Sequence, residues 1–74
     1  MLGDIFIERV IDDSMKRYAE ENSGKTGIAK VDVVEMVMAL GGDMDDVRRV
    51  MYQASEMILN QNAGYHTIFD GKYS

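Results

Sequence analysis

The residues most suggestive of chemistry are the run Ser-Gly-Lys-Thr-Gly at positions 23 to 27. Glycine followed by Lys and Thr is what a phosphate-binding loop offers at its end, where backbone N–H groups and the lysine hold phosphate oxygens. The full loop also needs a glycine five residues before Gly24, but Ala19 occupies that position. It further needs a preceding strand, whereas the segment before this run has a helical pattern. We therefore interpret the run as a turn that contains a lysine.

A second candidate is the acid-rich run from Asp43 to Asp46, because carboxylates are calcium ligands. A calcium loop of the EF-hand type needs oxygen ligands at positions 1, 3 and 5 and a Glu at position 12. Counted from Asp43, positions 5 and 12 are Val47 and Ala54, so two of these four ligands are missing. Acids in the first turn of a helix are stabilised by the helix dipole. The run therefore indicates the capped start of a helix.

No set of nucleophile, base and orienting residue can be assembled from this sequence. His66 is the only histidine and cysteine is absent, which removes disulfides and thiolate ligands and leaves too few ligands for a zinc site. None of the serines lies in the Gly-x-Ser-x-Gly context of a hydrolase nucleophile. We therefore expect a protein that is not an enzyme and that carries neither a metal nor a cofactor.

Length and composition narrow the class of protein further. The 74 residues suffice for one domain, 1–74, and 46% of them are hydrophobic, which is too many for a disordered chain. Thirteen acidic and eight basic residues give a net charge of −5, which argues against ordinary binding of nucleic acid. Neither a membrane-length apolar run nor a secretion signal is present, so we expect a cytoplasmic protein.

The elements that must position these residues are predicted to be three helices. Apolar residues at three- and four-residue spacing predict a helix from about Asp4 to Glu21. Asp32, with Glu35 three residues later, has the spacing of a capping box and predicts the start of a second helix. Gly41-Gly42 ends that helix, which is apolar almost all round and is therefore expected to be buried on most sides. Asp43 is the predicted N-cap of a third helix, which is expected to stop near Asn60 to Gly64, where Asn and Gly cluster.

Two short segments have strand-like composition. Residues 28–31 are predicted to form a short strand before the second helix, and residues 65–69 another near the C-terminus. Asp70-Gly71 is a hairpin-turn dipeptide, so a truncated wing is expected there. The predicted fold class is therefore mainly α: three helices followed by a short strand or truncated wing.

Val33 to Ile58 resembles a helix-turn-helix unit, with apolar Met36 and Leu40 in its first helix, Gly41 at the turn, and Val47 and Val50 packing the second helix back. With a helix before it and a strand after it, the order is similar to a reduced winged-helix domain. That resemblance implies a small DNA-binding transcription regulator, which is the alternative function for this chain.

Charge distinguishes this chain from a DNA-reading domain of that kind. The N-terminal turn of the second helix of such a domain enters the major groove, and here it carries Asp43, Asp45 and Asp46. Arg48 and Arg49 could compensate, but their spacing also allows them to pair with the acids inside the helix. The sequence therefore favours binding to a cationic protein surface over binding to DNA.

In length, acidity, lack of cysteine and helical character, the chain resembles small acidic host-takeover proteins of phages that infect Gram-positive bacteria. That resemblance implies an inhibitor that occupies the DNA-binding surface of a host protein, first the DNA polymerase sliding clamp and second the nucleoid protein HU. The acids expected to contact such a partner are Asp12, Asp13, Glu20, Glu21, Asp43, Asp45 and Asp46. Surplus apolar residues predict a homodimer, and its expected interface residues are Leu2, Ile5, Tyr52 and Leu59.

Overall fold

A computed structural model of the chain describes residues 1–61, and within that part it contains three helices and no strand. Helix α1 spans Asp4–Glu21, α2 spans Lys30–Ala39 and α3 spans Met44–Gln61. The mainly α class is therefore confirmed. The strand predicted at residues 65–69 and the turn at Asp70-Gly71 lie outside the described residues.

All three helices pack against one another around a single core. Contacts at several levels show that α1 runs parallel to α3: Asp4 meets Arg49, and further along Asp12 lies beside Met57. The short helix α2 packs against both of them and runs antiparallel to α1, since Arg17 contacts Asp32 and the earlier Ser14 contacts the later Met36. The core consists of the apolar stripe of each helix and one residue of the connection before α2: Ile7, Val10, Ile11, Ile28, Val33, Val37, Val47, Val50 and Ala54.

The strand predicted at residues 28–31 is wrong, because α2 begins at Lys30 and residues 28–29 are irregular. Ile28 is fully buried and anchors the connection into the core as a single side chain, with no neighbouring strand among residues 1–61 to pair with. Burial of Val33 and Val37 against the other helices outweighs the low helix propensity of valine.

The capping box predicted for Asp32 and Glu35 is wrong as well. Ala29 is the N-cap of α2 and makes no side-chain capping bond. Arg17 of α1 instead donates to the Asp32 carboxylate at 3.3 Å and to Glu35 at 3.1 Å. Hydrogen bonds to Glu35 and Asp32 raise the pKa of Arg17 above its ordinary value. This charge-assisted pair of contacts joins the end of α1 to the start of α2.

Helix α2 is less buried than its composition predicted. Val33 and Val37 are buried, but Val31 is 66% exposed and Met38 is 43% exposed. Asp32 and Met36 contact α1, through Arg17 and Ser14 respectively, so the residues on the far side of α2 are left uncovered. One side of this apolar helix therefore remains on the surface.

Two glycines make the turn between α2 and α3 possible, as the sequence predicts. Gly41 has a φ of 84°, in the left-handed region that glycine adopts without strain. Its N–H bonds to the Met38 carbonyl at 3.0 Å, and the Gly42 N–H bonds to the Val37 carbonyl at 2.9 Å. These two hydrogen bonds form a Schellman motif, which satisfies the last carbonyls of α2.

Gly42 is a position where a side chain does not fit. A Cβ atom there would lie 2.7 Å from Val37 Cγ1, 2.8 Å from Asp46 Oδ2 and 3.0 Å from Leu2 Cδ1. We predict that Gly42→Ala lowers the free energy of unfolding by about 1–3 kcal/mol, because buried groups must move to accept the methyl group. Urea unfolding followed by far-UV circular dichroism measures this change.

Gly3→Ser is the matched control for this prediction. Gly3 is the N-cap of α1, has nothing within 4 Å of an added Cβ, and serine is favoured at that position. We expect this variant to be as stable as the wild type or slightly more stable. Equal stability of Gly42→Ala and the wild type would contradict the close approach at Gly42.

Candidate protein-binding surface

The start of α3 is built around the carboxylate of Asp46, which is fully buried. The Asp46 N–H donates to Asp43 Oδ1 at 3.1 Å, and the Asp43 N–H donates back to Asp46 Oδ2 at 3.0 Å. This reciprocal arrangement is a capping box with aspartate at both positions. The prediction that Asp43 caps α3 is therefore confirmed, whereas the acidic partner of the box was not foreseen.

The second oxygen of Asp46 holds the N-terminal segment against α3. Asp46 Oδ1 accepts from the Leu2 N–H at 3.0 Å and from Arg49 Nη1 at 3.1 Å. The same Arg49 nitrogen donates to the Leu2 carbonyl at 2.8 Å, and Arg49 Nη2 donates to Asp4 at 3.0 Å. The ion pair of Asp46 and Arg49 thus holds four groups: the N–H and the carbonyl of Leu2, the carboxylate of Asp4 and the N–H of Asp43.

The pKa of Asp46 reflects these contacts. Burial alone would raise this pKa, because a carboxylate loses hydration. Hydrogen bonds from the backbone N–H groups of Leu2 and Asp43, together with positive charge at the N-terminus and on Arg49, outweigh burial and lower the pKa below its ordinary value of 3.8. Asp46 is therefore ionised at neutral pH, and its carboxylate stabilises the start of α3 and its contact with the N-terminal segment.

These findings separate Asp46 from the other acids that the sequence offered for partner binding. Its side chain is 0% exposed, so it presents no charge to a partner. The side chains of Asp43 and Asp45 are 56% and 62% exposed at the same end of α3. The remaining four predicted residues are all exposed on α1: Asp12, Asp13, Glu20 and Glu21.

The structure does not bring all of these acids together. Because α1 and α3 run parallel, Glu20 and Glu21 lie at the opposite end of the molecule from Asp43 and Asp45. Two acids that were not selected from the sequence, Asp4 and Glu8, lie on α1 before Asp12. Together the three form a row along α1 that leads to the start of α3, where Asp4 contacts Arg49. A spacing of four residues places successive side chains on one helix face about 6 Å apart along the axis.

We call this set the acidic edge, and it comprises Asp4, Glu8, Asp12, Asp43 and Asp45. Glu8 and Asp12 line an open groove between α1 and α3, together with Gln53 and Met57. Neither carboxylate forms an ion pair with another residue of the 1–61 region. The spacing of Asp4, Glu8 and Asp12 at four-residue intervals is the sequence signal that could have identified this edge, and it was not used.

The arginines next to the acidic edge are occupied by the chain itself. Arg48 pairs with Asp45 one turn earlier, and Arg49 is held by Asp46, Asp4 and the Leu2 carbonyl. The pairing of Arg48 and Arg49 with acids of the same helix, which their spacing allows, is therefore confirmed. At the surface Arg48 therefore offsets Asp45, whereas Arg49 is used by Asp46 and Asp4.

The four residues predicted for a dimer interface lie in different environments. Leu2 is half-buried and packs against the core, so it belongs to the fold. Ile5, Tyr52 and Leu59 are exposed, at 77%, 67% and 49%. Tyr52 lies one residue before the Gln53 that faces α1, a turn of about 100° around α3. Tyr52 and Leu59 therefore face away from α1, on a different surface from Ile5.

No group of three or more His, Asp or Glu side chains in residues 1–61 is placed to hold a metal ion. Gly24, in the lysine-containing turn, donates its N–H to the Ala19 carbonyl at 2.7 Å and so ends α1. None of the three helices is both long enough and apolar enough to cross a lipid bilayer.

Comparison of the chain with protein-family models, with curated proteins and with solved structures finds no match in any of the three. The function must therefore be inferred from the surface itself. Its distinctive chemistry is a set of exposed carboxylates at one edge, next to a buried carboxylate that holds Arg49 against the N-terminal segment.

The depressed pKa of Asp46 makes a prediction about acid stability. A carboxylate with a lower pKa in the folded state stabilises the fold above its unfolded pKa and loses that contribution as the pH falls through its folded pKa. We expect Asp46→Asn to be less stable than the wild type at pH 7, with a difference that narrows below about pH 4. Urea unfolding over a pH series measures it.

Asp45→Asn is the control for this experiment, because Asp45 is in the same helical turn and its side chain is 62% exposed. We expect a smaller loss of stability at pH 7 and little change in that loss with pH. A stability difference for Asp46→Asn that did not narrow in acid would contradict the role of its ionised carboxylate.

Proposed function

We propose that this protein is a non-enzymatic inhibitor that uses its acidic edge to occupy the DNA-binding surface of another protein. A surface that holds DNA is rich in Lys and Arg, since these residues contact phosphates. Exposed carboxylates on a rigid scaffold can compete for the same cationic surface. The resemblance to phage host-takeover proteins favours a bacterial partner in the host cytoplasm, with the replication sliding clamp first and HU second.

The observation that carries this proposal is a row of exposed acids, two of which make no ion pair among residues 1–61: Glu8 and Asp12. Asp43 and Asp45 are exposed at the start of α3, where Asp43 lies 3.8 Å from the N-terminal amine and Asp45 pairs with Arg48. Charge complementarity across an interface raises the association rate and selects the partner. The parallel packing of α1 adds Glu8 and Asp12 to the same side, so the negative potential extends along the edge.

The helix-turn-helix alternative has an architectural basis but an unsuitable surface. α2, the Gly41-Gly42 turn and α3 follow one another as that motif requires. The turn of α3 that would enter a major groove presents Asp43 and Asp45, which phosphates repel. The exposed bases of residues 1–61 that make no ion pair lie elsewhere, on α1, on the following loop and at the start of α2: Arg9, Lys16, Lys25 and Lys30.

Binding to a purified bacterial sliding clamp tests the proposal, with HU measured in parallel. We predict that the double variant Glu8→Gln/Asp12→Asn weakens binding at low salt by at least about tenfold, because it removes the unpaired charges of the acidic edge. Added salt should weaken the wild-type complex, since exposed charges are screened. Fluorescence anisotropy or calorimetry measures the affinity.

The double variant Glu20→Gln/Glu21→Gln is the matched control, because it removes the same number of charges from the far end of α1. We expect it to retain affinity within about threefold of the wild type. Equal losses for the two variants would show that net charge, and not the acidic edge, determines binding. Wild-type affinity for the Glu8→Gln/Asp12→Asn variant would exclude the edge as the contact.

A separate experiment distinguishes the two candidate functions. We predict that the protein alone does not shift duplex DNA in an electrophoretic assay at low salt, where non-specific binding through phosphates is strongest. It should instead displace duplex DNA from the partner protein in competition. A tight shift of duplex DNA that weakens steeply with added salt would favour the transcription-regulator alternative.

A further inference from the structure

Helix α3 has an exposed apolar face on the side opposite the one that packs into the core. Tyr52 and Leu59 are separated by seven residues, or two helical turns, and so lie on one face. The core-facing residues Val50, Ala54 and Ile58 occupy the other side of the helix. Two exposed apolar residues at this spacing are typical of a helix that packs against another helix.

Helix α2 also carries exposed apolar residues. Val31 and Met38, also seven residues apart, are 66% and 43% exposed. Both face away from α1, because α2 contacts α1 through Asp32 and Met36. Both α2 and α3 therefore leave apolar side chains that α1 does not cover.

The charges around Tyr52 identify what covers this face. Arg48 lies four residues before Tyr52 and Glu56 four residues after it, and both are exposed. Arg48 pairs with Asp45 of its own helix, and its side chain is 73% exposed, so it can contact a second carboxylate as well. When two copies of α3 pack antiparallel about a twofold axis at Tyr52, Arg48 of each chain is level with the partner subunit's Glu56. In parallel packing, arginine meets arginine and glutamate meets glutamate. The order of charges thus favours the antiparallel arrangement.

We propose that the α3 face centred on Tyr52 binds a second copy of this chain in an antiparallel, twofold-symmetric dimer. Such an interface is isologous, so the same residues are contributed by both subunits. The two tyrosines meet on the axis and can stack, and an arginine–glutamate pair flanks them on each side. Within residues 1–61 Glu56 makes no ion pair, and this dimer supplies one.

This dimer leaves the α1–α3 groove free, but it adjoins the acidic edge at Asp45, which pairs with Arg48 and lies seven residues before Tyr52 on the same face of α3. It is also in keeping with the size of the chain. A domain of this length buries a smaller fraction of its surface than a larger one, and association commonly supplies additional burial. Symmetry places one α1–α3 groove on each subunit.

A charge-swap experiment on the full chain tests the dimer and its register. Arg48→Glu alone and Glu56→Arg alone each place like charges against one another twice, so each should raise the dimer dissociation constant by at least about tenfold. The double variant Arg48→Glu/Glu56→Arg restores opposite charges and should return the constant to within about threefold of the wild type. Sedimentation equilibrium over a range of concentrations measures these constants.

Arg9→Glu is the control, because Arg9 is exposed on α1 away from the proposed interface and should leave the dissociation constant unchanged. Far-UV circular dichroism verifies that each variant folds, and Tyr52→Ala should weaken the dimer without loss of helicity. A wild-type protein that is monomeric at all concentrations would overturn the proposal. So would failure of the double variant to recover dimerisation when both single variants are folded monomers.

Discussion

The fold depends on one buried charge. Asp46 is 0% exposed, and an ionised carboxylate is expensive to bury unless donors surround it. The backbone of Asp43, the backbone of Leu2 and the guanidinium of Arg49 supply those donors. The first turn of α3, the segment that precedes α1 and the start of α1 are therefore positioned by the same group, and each is stable because the others are in place.

This arrangement also shapes the surface of the protein. Because Arg49 turns inward to Asp46, the exposed charges at the start of α3 are those of Asp43, Asp45 and the Arg48 that pairs with Asp45. Arg17 is similarly engaged by Asp32 and Glu35 at the other end of the bundle. A helix pair with the order of a DNA-binding motif thus has both of its arginines, Arg48 and Arg49, in contact with acids of its own chain.

Much of the fold could be predicted from local patterns in the sequence. The stripe from Ile7 to Ser14 predicted α1, and Gly41 and Asp43 marked the turn correctly, because a left-handed C-cap and an N-cap are set by neighbouring residues. The start of α2 was predicted at Asp32, but the helix begins at Lys30. Local capping residues did not determine this start, because burial of Val33 in the core depends on contacts with the other helices. The role of Asp46 was missed because its partners lie 44 and three residues away, although its spacing from Asp43 was a local indication.

The contact between Leu2 and Asp46 has a consequence for how this architecture can be reused. The unit formed by α2 and α3 has the order of a portable recognition module, yet its second helix is completed by a peptide group from the opposite end of the chain. A fragment that began at α2 would leave the Asp46 carboxylate short of a donor in an apolar setting. The three helices therefore constitute one indivisible unit, and transplanting the last two onto another protein would require a substitute for that missing N–H group.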